Sequence, residues 1–520
     1  MNDAVIIGGG PGGLYLSILL KRDRPHTRVR VIERGTADTT FGFGVAFHDA
    51  TLRKLAEADP ISREAIGELL RPWDDVAFQV RGIQQRVGGH GFSGCSRQAL
   101  LHALQQRARE LGVELIFERT ARPEQFPEAD LVVAADGANS RIRASHAGDF
   151  EPTVVVRPNR YVWLGTSRPL DAMNFFFVET SAGVFVAHAY PHQPGQSTWI
   201  VETDDETFAR SGLRDDDEAA TVHYLEAAFA EQLAGHRLTT NRSVWRQFPL
   251  IDCRMWSKDR LVLLGDAKGT VHYSMGSGTK LAMEDAVALN DALQGNADVS
   301  RALAAYEDER RPAIAALQRA GYGSMLWFEQ VRMHWPMPTD QFIFAGVTRK
   351  SNETYESVYP RNSGLVRAAT AALASGSPAA DPVEPCETPL QLGTTVLPNR
   401  LATLVRDNAR ANEIVLVDPH QQQSLTEHGD PTLVALCVEA PHDPADALGL
   451  VEPWLARGVS IVALTSRSAD AASRADQLLT ADLLRHSLGV TTIVDVASRD
   501  EANTALVAGR TDLVRIIPGA

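Results

Sequence analysis

Cysteine is scarce in this chain, and long apolar runs are absent. The 520 residues include four cysteines, and no two of them form a C-x-x-C pair: Cys95, Cys253, Cys386 and Cys437. This pattern argues against a disulfide framework, a structural zinc site and a thioredoxin-like motif. No apolar run approaches the roughly 18 residues that a membrane-spanning helix needs, and the first residues show no signal peptide. We therefore expect a globular, cytoplasmic protein of a reducing compartment, with no membrane partner.

Positive charge is also in deficit. Lys plus Arg is 51 and Asp plus Glu is 65, which gives a net charge of −14. This net negative charge gives no overall electrostatic attraction for nucleic acid, although local basic pockets remain possible. Hydrophobic residues make up 44% and charged residues 22%, which excludes wholesale disorder. At roughly 150 residues per domain, the length allows about three or four domains.

The N-terminus carries a glycine-rich loop between a strand and a helix. The β-branched run Ala4–Ile7 predicts a buried parallel strand. It leads into Gly8-Gly-Gly10-Pro-Gly-Gly13, which fits G-x-G-x-x-G. Gly8 permits the tight turn, Gly10 lets the backbone approach a pyrophosphate, and Gly13 allows close packing of helix on strand. The helix that follows would offer free N–H groups and a positive dipole to the phosphates.

An acidic residue completes this pattern at the expected distance. The run Val29–Ile32 predicts a second strand, and it ends at Glu33-Arg34. Glu33 lies twenty residues after Gly13, where it can accept a hydrogen bond from a ribose hydroxyl. We count Glu33 and Arg34 among the cofactor-binding residues of a dinucleotide site.

A second G-x-G-x-x-G, Gly89-His-Gly-Phe-Ser-Gly94, is interpreted differently. The preceding Val76–Val87 alternates apolar and polar residues, which indicates an antiparallel, half-exposed strand. Ser96 then stands at the N-cap position of a helix over Arg97–Leu111. We predict a loop that enters a helix here, with a second dinucleotide site as the alternative.

Two later segments have the form expected at the carboxyl edge of an open sheet. The strand-like run Leu131–Ala135 ends in Asp136-Gly137, and Arg260–Leu264 ends in Gly265-Asp266. Ligands collect at this edge of such sheets. Asp266 could hold a ribitol hydroxyl, and the backbone of a glycine-rich helix start could approach a flavin ring and its phosphates; that start contains Gly276, Gly278 and Thr279.

These segments together resemble the group A flavoprotein monooxygenases, the FAD-dependent aromatic hydroxylases of the para-hydroxybenzoate hydroxylase type. The stretch Tyr306–Pro312 is also similar to that family. The resemblance implies that FAD binds across the G-x-G-x-x-G, D-G and G-D segments, with Arg97 in contact with the flavin. It further implies NADH or NADPH as reductant, without a fingerprint of its own, and hydroxylation of an electron-rich ring by O2 through a flavin C4a-hydroperoxide.

Other segments look like salicyloyl-CoA and anthraniloyl-CoA hydroxylases, among them Phe41–Phe47 with Asp49–Leu52, Asn159–Gly165, Phe185–Tyr190, Asn241–Phe248 and Gly276–Asp285. One departure stands in the G-D loop, where Lys268 replaces a small residue beside the flavin. Lys268 is either an active-site residue or a solvated loop lysine. The sequence therefore leaves two substrate classes possible: a CoA thioester, or a free phenol, arylamine or hydroxypyridine of natural-product tailoring.

Substrate contacts are expected from a central antiparallel sheet over roughly 154–203, whose strands alternate apolar and polar residues. His188 and Tyr190 share strand parity and so face one side, and a histidine can act as base on a ring hydroxyl. The catalytic candidates are His48, His188, Tyr190, Tyr273 and Lys268. The candidates for substrate contact are Phe47, Trp163 and Tyr190. No metal-ligand spacing is found.

The last third of the chain forms a separate part. Residues 368–387, rich in Ala, Ser, Pro and Gly, predict a linker. Beyond it, five strand-like runs alternate with helical patterns and predict a small α/β domain. Thr388–Gly393 and Ala508–Asp512 are similar to the two ends of the old-yellow-enzyme type (β/α) barrel. A complete barrel needs about 250 residues, so we interpret this part as a shortened relic without FMN, kept as a structural or oligomerisation module.

The predicted fold class is α/β, with a Rossmann-like FAD-binding domain and an inserted antiparallel-sheet substrate domain. The expected domains are 1–150 with 245–367 for FAD, 151–244 for substrate, and 388–520 for the C-terminal part. A homo-oligomer is expected. Two alternatives stay open: a flavin-dependent halogenase, although no W-x-W-x-I-P segment is present, and a non-catalytic FAD-binding redox or interaction protein.

Overall fold

The computed structural model describes residues 1–40, 42–373, 384–405, 412–417, 433–468 and 470–517. The chain divides into two compact units, Met1–Met325 and Leu326–Ala520. The finer division into FAD-binding, substrate and C-terminal domains stays a prediction. Among the described helices, none is long and apolar enough to cross a membrane.

The first unit contains a six-stranded sheet, here called the parallel sheet. Its strands in spatial order are Ser257–Lys258, Leu261–Leu263, Leu131–Ala134, Asp3–Ile7, Arg28–Ile32 and Glu114–Ile116. Only the pair Ser257–Lys258 and Leu261–Leu263 is antiparallel. The predicted buried strand at Ala4–Ile7 is confirmed, since these residues are buried between two parallel neighbours. Because parallel strands end at one edge, the loops that follow three of them meet there.

Helices pack against the sheets of the first unit. In the first unit they are Pro11–Asp23, Asp49–Ala58, Pro60–Leu69, Arg97–Glu110, Arg141–Ser145, Ala147–Phe150, Asp205–Ser211, Glu218–Ala228, Ala230–Leu233, Gly278–Gly295 and the start of Val299–Glu329. Short 3-10 turns occur at Pro123–Gln125, Gly265–Ala267 and Tyr273–Met275. The hydroxyl of Ser96 accepts a hydrogen bond from the N–H of Ala99. This confirms Ser96 as the N-cap of a helix that begins at Arg97.

A second sheet of the first unit, here called the mixed sheet, has eight strands. Seven follow the spatial order Leu238–Thr239, Pro152–Thr166, Gln196–Thr203, Val184–Gln193, Met173–Glu179, Val76–Val80 and Ile83–Val87, and Arg246–Cys253 pairs with Pro152–Thr166. The one parallel pairing joins Met173–Glu179 to Val76–Val80. The single strand predicted over 76–87 is two antiparallel strands. Arg81 and Gly82 have φ of 50° and 77°, the geometry of a tight hairpin turn.

Three short strands between residues 44 and 96 pair with one another. They form an antiparallel sheet in the order Gly44–His48, Phe92–Ser96 and Arg71–Trp73. The segment Gly89–Gly94 thus leads into an antiparallel strand. The alternative of a second dinucleotide site is wrong on this geometry, because a Rossmann fingerprint follows a parallel strand and opens a helix directly.

The second unit contains a six-stranded sheet whose strands follow one another in chain order. They are Thr403–Val405, Glu413–Val417, Leu433–Glu439, Ile461–Thr465, Thr491–Val496 and Leu513–Ile516, all parallel. The helices are Val331–His334, Thr339–Val347, Tyr355–Val358, Ser363–Leu373, Asp446–Leu455, Ala471–Leu488 and Arg499–Val507, with a 3-10 turn at Pro385–Glu387 and a hairpin of Leu390–Leu392 and Thr395–Leu397. Sequential parallel order is that of a (β/α) barrel rather than of a doubly wound sheet.

The predicted C-terminal strands are confirmed, and the linker predicted over 368–387 needs correction at both ends, because Pro385–Glu387 form a 3-10 turn in which Pro385 and Cys386 are buried. Residues 368–373 belong to the helix Ser363–Leu373, because Leu365, Val366 and Ala369 form a buried face at helical spacing. Residues 374–383 lie outside the described residues. The sheet buries both faces, since Ile461 and Ala463 join one apolar cluster while Val462 and Leu464 join another.

Candidate functional site

A cavity of about 290 Å³ lies at the carboxyl edge of the parallel sheet. On one side it is lined by loops that follow the parallel strands, including Gly10–Gly13, Gly265–Asp266 and Gly276–Thr279. On the other side it is lined by Tyr161, Trp163, Met173, His188, Tyr190 and Ile200 of the mixed sheet. The structure therefore brings together the two groups of residues that the sequence assigned to cofactor and to substrate.

The glycine loop contains glycines that packing requires, among them Gly8 and Gly13, and one that leaves space. A Cβ on Gly8, whose φ is +122°, would lie 2.1 Å from the carbonyl oxygen of Ala135. A Cβ on Gly13 would lie 2.2 Å from the oxygen of Gly8. By contrast, a Cβ on Gly10 would meet nothing within 4 Å, and Gly10 is the N-cap of Pro11–Asp23 without a side-chain cap. The uncapped first turn and the open space in front of it fit a bound diphosphate.

Two acidic residues near this loop accept hydrogen bonds from backbone N–H groups. Glu33 accepts hydrogen bonds from the N–H groups of Gly9, at 2.8 Å, and Gly35, at 2.7 Å. Asp136 accepts through Oδ2 from the N–H of Arg141 at 2.9 Å, while its buried Oδ1 finds no partner among the described residues. Glu33, Asp136, Gly8 and the exposed Arg34 lie next to the cavity lining rather than in it.

Arg97 and Asp266 are the charged pair of the cavity lining. Arg97 begins its helix, and Asp266 follows Gly265 in the turn after a parallel strand. Burial lowers the pKa of Arg97, and the charge of Asp266 acts against this. Burial raises the pKa of Asp266, and the charges of Arg97 and Lys268 counteract it. Among the described lining residues, no other Lys, Arg, Asp or Glu is present.

Lys268 is neither solvated nor part of the cavity lining. It is 2% exposed, and its Nζ lies 2.7 Å from Oδ2 of Asp285 and over the ring of Trp256. Asp285 is fully buried and also pairs with Arg310 at 2.9 Å. The expectation of a solvated loop lysine is wrong, because this buried ion cluster draws the side chain away from solvent.

His48 and Phe47 also lie outside the cavity lining. Along the strand Gly44–His48 successive side chains point to opposite faces. Ala46 joins the aromatic cluster of the cavity wall, whereas Phe47 is fully buried in the core around the parallel sheet. His48 ends the strand, with its ring centroid 3.9 Å from that of Phe92.

The mixed sheet supplies an aromatic wall with one imidazole. His188 is 1% exposed, and its ring meets that of Tyr273 edge to face at 5.7 Å. The hydroxyl of Tyr190 donates to the carbonyl of Gly44 at 2.9 Å, and burial raises its pKa. The indole N–H of Trp163 is buried without an acceptor among the described residues. As predicted, His188 and Tyr190 line one face of their strand.

Glu202, which lies behind this wall, and Tyr161, which belongs to it, are absent from the candidates drawn from the sequence. Glu202 is 1% exposed and contacts both His188 and Tyr273, and the ring of Tyr161 lies 4.6 Å from that of Tyr273. Tyr161 pairs across the sheet with Glu202, as Trp163 pairs with Ile200 and Ile200 with His188. One sequence signal could have identified Glu202: it is a charged residue at a position of an alternating strand that faces the protein interior.

Comparison with known proteins identifies the family of this chain. A family model for the FAD binding domain matches residues 87–320. Salicyloyl-CoA 5-hydroxylase of a Streptomyces species is 38% identical, with 98% of each chain aligned. The 3-hydroxy-4-methyl-anthranilyl-[aryl-carrier protein] 5-monooxygenase of Streptosporangium sibiricum is 34% identical over 70% of this chain and 98% of its own. The solved structure of 2-methyl-3-hydroxypyridine-5-carboxylic acid oxygenase shares the fold, with a TM-score of 0.53 and 17% identity over 71% of this chain and 96% of that one.

The cavity, its glycine loops and these relatives define a class of protein. The chain belongs to the FAD-dependent aromatic hydroxylases, and its cofactor is FAD. NAD(P)H as reductant is typical of this class. The C-terminal unit is no peculiarity of this chain, because the Streptomyces relative aligns over nearly its whole length.

Proposed function

We propose that this chain hydroxylates a hydroxylated or aminated aromatic ring whose carboxyl group is masked as a thioester. The cavity wall that carries His188, with Tyr273 beside it on the loop after the G-D turn, is the observation that supports this most directly. The ring would lie against this wall, where the mixed sheet excludes water and fixes orientation. The two relatives named for a CoA thioester and a carrier-protein-bound ring support the same substrate class.

The charge of the cavity supports a masked carboxyl group. A free aromatic acid would need a cation, and the one cation of the described lining, Arg97, is opposed by Asp266. The buried carboxylate of Glu202 behind the wall would repel an anion further. The N–H of Trp163 is a donor suited to a neutral carbonyl, because it lines the cavity without an acceptor in the described structure.

We infer the cofactor contacts from the same geometry. Backbone N–H groups at the start of Pro11–Asp23 would hold the diphosphate, and Glu33 would face the ribose. Asp266 and Arg97 would contact the ribityl chain and the flavin, with the backbone of Gly276–Thr279 close to the ring system. When bound, FAD supplies the hydride acceptance from NAD(P)H and the activation of O2. His188 would act as base on the ring hydroxyl, and Tyr190, tied to Gly44, would shape the wall.

We also propose that the protein is a cytoplasmic homo-oligomer and that its C-terminal unit serves as a structural or oligomerisation module. Its length supports a lost reductase role, since the sheet has six described strands where a complete barrel has eight.

The test is NAD(P)H oxidation by the purified FAD-loaded protein with four probes: salicyloyl-CoA, anthraniloyl-CoA, free salicylate and free anthranilate. We expect the thioesters to accelerate oxidation and to gain one oxygen atom from labelled O2, measured by mass spectrometry. The free acids should be poorer by about tenfold or more, which corresponds to roughly 1.4 kcal/mol. CoA alone is the control. Equal performance of the free acids would contradict the thioester proposal, and failure of every ring to stimulate oxidation would contradict hydroxylation.

A further inference from the structure

A buried carboxylate stands behind the aromatic wall of the cavity. Glu202 is 1% exposed, and its two oxygens have different partners. Oε1 lies 3.1 Å from Nε2 of His188, and Oε2 accepts a hydrogen bond from the hydroxyl of Tyr273. Both partners line the cavity, whereas Glu202 does not. One carboxylate therefore contacts two residues that can meet the substrate.

The direction of these hydrogen bonds follows from the charge of Glu202. Burial alone would raise the pKa of Glu202, but the charge and hydrogen bond of His188, together with His272 and Tyr273, outweigh it and hold the pKa below its usual value. An ionised carboxylate can only accept hydrogen bonds. The contact of Nε2 of His188 with Oε1 of this carboxylate therefore assigns a hydrogen to Nε2 in both the neutral and the protonated ring, which leaves Nδ1 as the nitrogen that can accept a proton.

We propose that Glu202 is a positioning residue for hydroxylation, which holds His188 in the Nε2–H tautomer and stabilises its protonated form. The inference rests on the proposed function, because it concerns the proton of the substrate ring hydroxyl. That O–H bond breaks, its electron pair stays on the substrate oxygen, and the proton forms a bond to Nδ1 of His188. The positive charge of the imidazolium then faces the carboxylate of Glu202, in the arrangement by which an acid supports a histidine base. The ionised ring oxygen makes the ring richer in electrons for oxygen transfer.

The surroundings of Glu202 define which groups can titrate with it. His188 faces it from Val184–Gln193, and His272 and Tyr273 face it from the loop after the G-D turn. Tyr161 occupies the paired position on Pro152–Thr166, and Arg246 and Asp266 act on Tyr161. Since Tyr273 bonds to the second oxygen, the carboxylate is held from two sides.

The variant Glu202→Gln keeps the shape of the side chain and removes its charge. Without the carboxylate, the protonated form of His188 is less favourable. With salicyloyl-CoA as probe, we expect the acid limb of the kcat/KM profile to move down by about one pH unit. We also expect the absorbance of the ionised ring, which wild type shows on binding the probe without NAD(P)H, to be lost at pH 7. FAD content and circular dichroism report whether the variant folds.

His192→Gln is the matched control. His192 lies on the same strand with the same parity and is 3% exposed, but its Nδ1 pairs with Thr198. This variant should keep the acid limb and the spectrum of the bound probe. If Glu202→Gln also keeps both, the proposal is overturned.

A measurement on the wild-type protein decides the case in which Glu202→Gln does not fold. Nitrogen NMR of histidine-labelled protein, with His188 assigned through His188→Gln, should show the Nε2–H tautomer. An Nδ1–H tautomer would overturn the role of Glu202. This readout needs no turnover, so it separates a failure of the Glu202 proposal from a failure of the proposed function, which the probe panel reports.

Discussion

The ammonium nitrogen of Lys268 lies 2.7 Å from Oδ2 of Asp285, and neither side chain is exposed by more than 2%. Asp285 also accepts a hydrogen bond from Nε of Arg310 at 2.9 Å and from the N–H of Gly265 at 3.3 Å. This buried carboxylate thus pairs with two cations, of which Arg310 also contacts Glu284, and it ties the G-D turn to the helix Gly278–Gly295. The residue that departs from the related hydroxylases is therefore part of the support for the cofactor loop.

Loss of Asp285 should cost more stability than loss of Lys268. Asp285→Leu leaves Lys268 buried without its ion-pair partner and Arg310 with Glu284 alone, and we expect a loss of about 3–5 kcal/mol in the free energy of unfolding. Lys268→Met leaves Asp285 paired with Arg310, so the loss should be smaller, about 1.5–3 kcal/mol. Urea denaturation measures both. The exposed pair of Arg254 and Glu151 is the control, and Arg254→Ala should cost at most about 1 kcal/mol. Equal losses for Asp285→Leu and Arg254→Ala would contradict this account.

Alanine at two glycines of the N-terminal loop should separate cofactor binding from folding. Gly10→Ala adds a methyl group in open space where we place the diphosphate. FAD affinity should fall roughly 5- to 150-fold, the equivalent of about 1–3 kcal/mol of overpacking, with unchanged apoprotein stability. Gly13→Ala should destabilise the fold itself, because the new Cβ would lie 2.2 Å from the oxygen of Gly8.

Flavin titration and denaturation of the apoprotein measure the two effects. Gly148→Ala is the control, since Gly148 is exposed and its added Cβ would meet nothing within 4 Å. It should change neither quantity by more than about 0.5 kcal/mol. Normal FAD affinity in Gly10→Ala would remove Gly10 from the cofactor site.

His192 should make the protein less stable in mild acid. Burial lowers the pKa of His192 from 6.5 to about 4, so the unfolded chain binds a proton more readily than the folded one. Its contribution is neutral above pH 6.5, and stability falls as the pH drops from 6.5 towards 4. Between pH 7 and pH 5 wild type should lose about 2 kcal/mol more than His192→Gln. Urea denaturation at both values tests this, and parallel losses would contradict it.

The purified protein should release FAD and no FMN. In the C-terminal unit, Arg510 belongs to the stretch that resembles the phosphate end of an FMN barrel. It is 9% exposed and donates to the hydroxyl of Thr348 at 3.1 Å and to the carbonyl of Ala345 at 3.4 Å. Both bonds use Nη2, so one nitrogen of the guanidinium that a phosphate would need is occupied. Chromatography of the heat-released flavins measures the content, and FMN in equal amount to FAD would refute the prediction.

The sequence by itself determined the cofactor and the class of reaction. The glycine spacing at Gly8–Gly13, the acid at Glu33 and the G-D pair at Gly265 are local patterns, because each serves one turn of backbone at the end of one strand. The strand parity of His188 and Tyr190 was equally readable, since alternation along a strand is a local property.

Only the tertiary structure decided which side chains meet. The sequence left two roles open for Lys268, an active-site residue or a solvated loop lysine. The reason is that its partner, Asp285, comes from a helix further along the chain. The sequence made Phe47 a candidate for substrate contact and His48 a candidate for catalysis, but the orientation of one short strand places the side chain of Phe47 in the core. The sequence does not predict the role of Glu202, because this role depends on two partners from different elements, His188 and Tyr273. Contacts between residues distant in sequence follow from sheet register and helix docking, which no local pattern records.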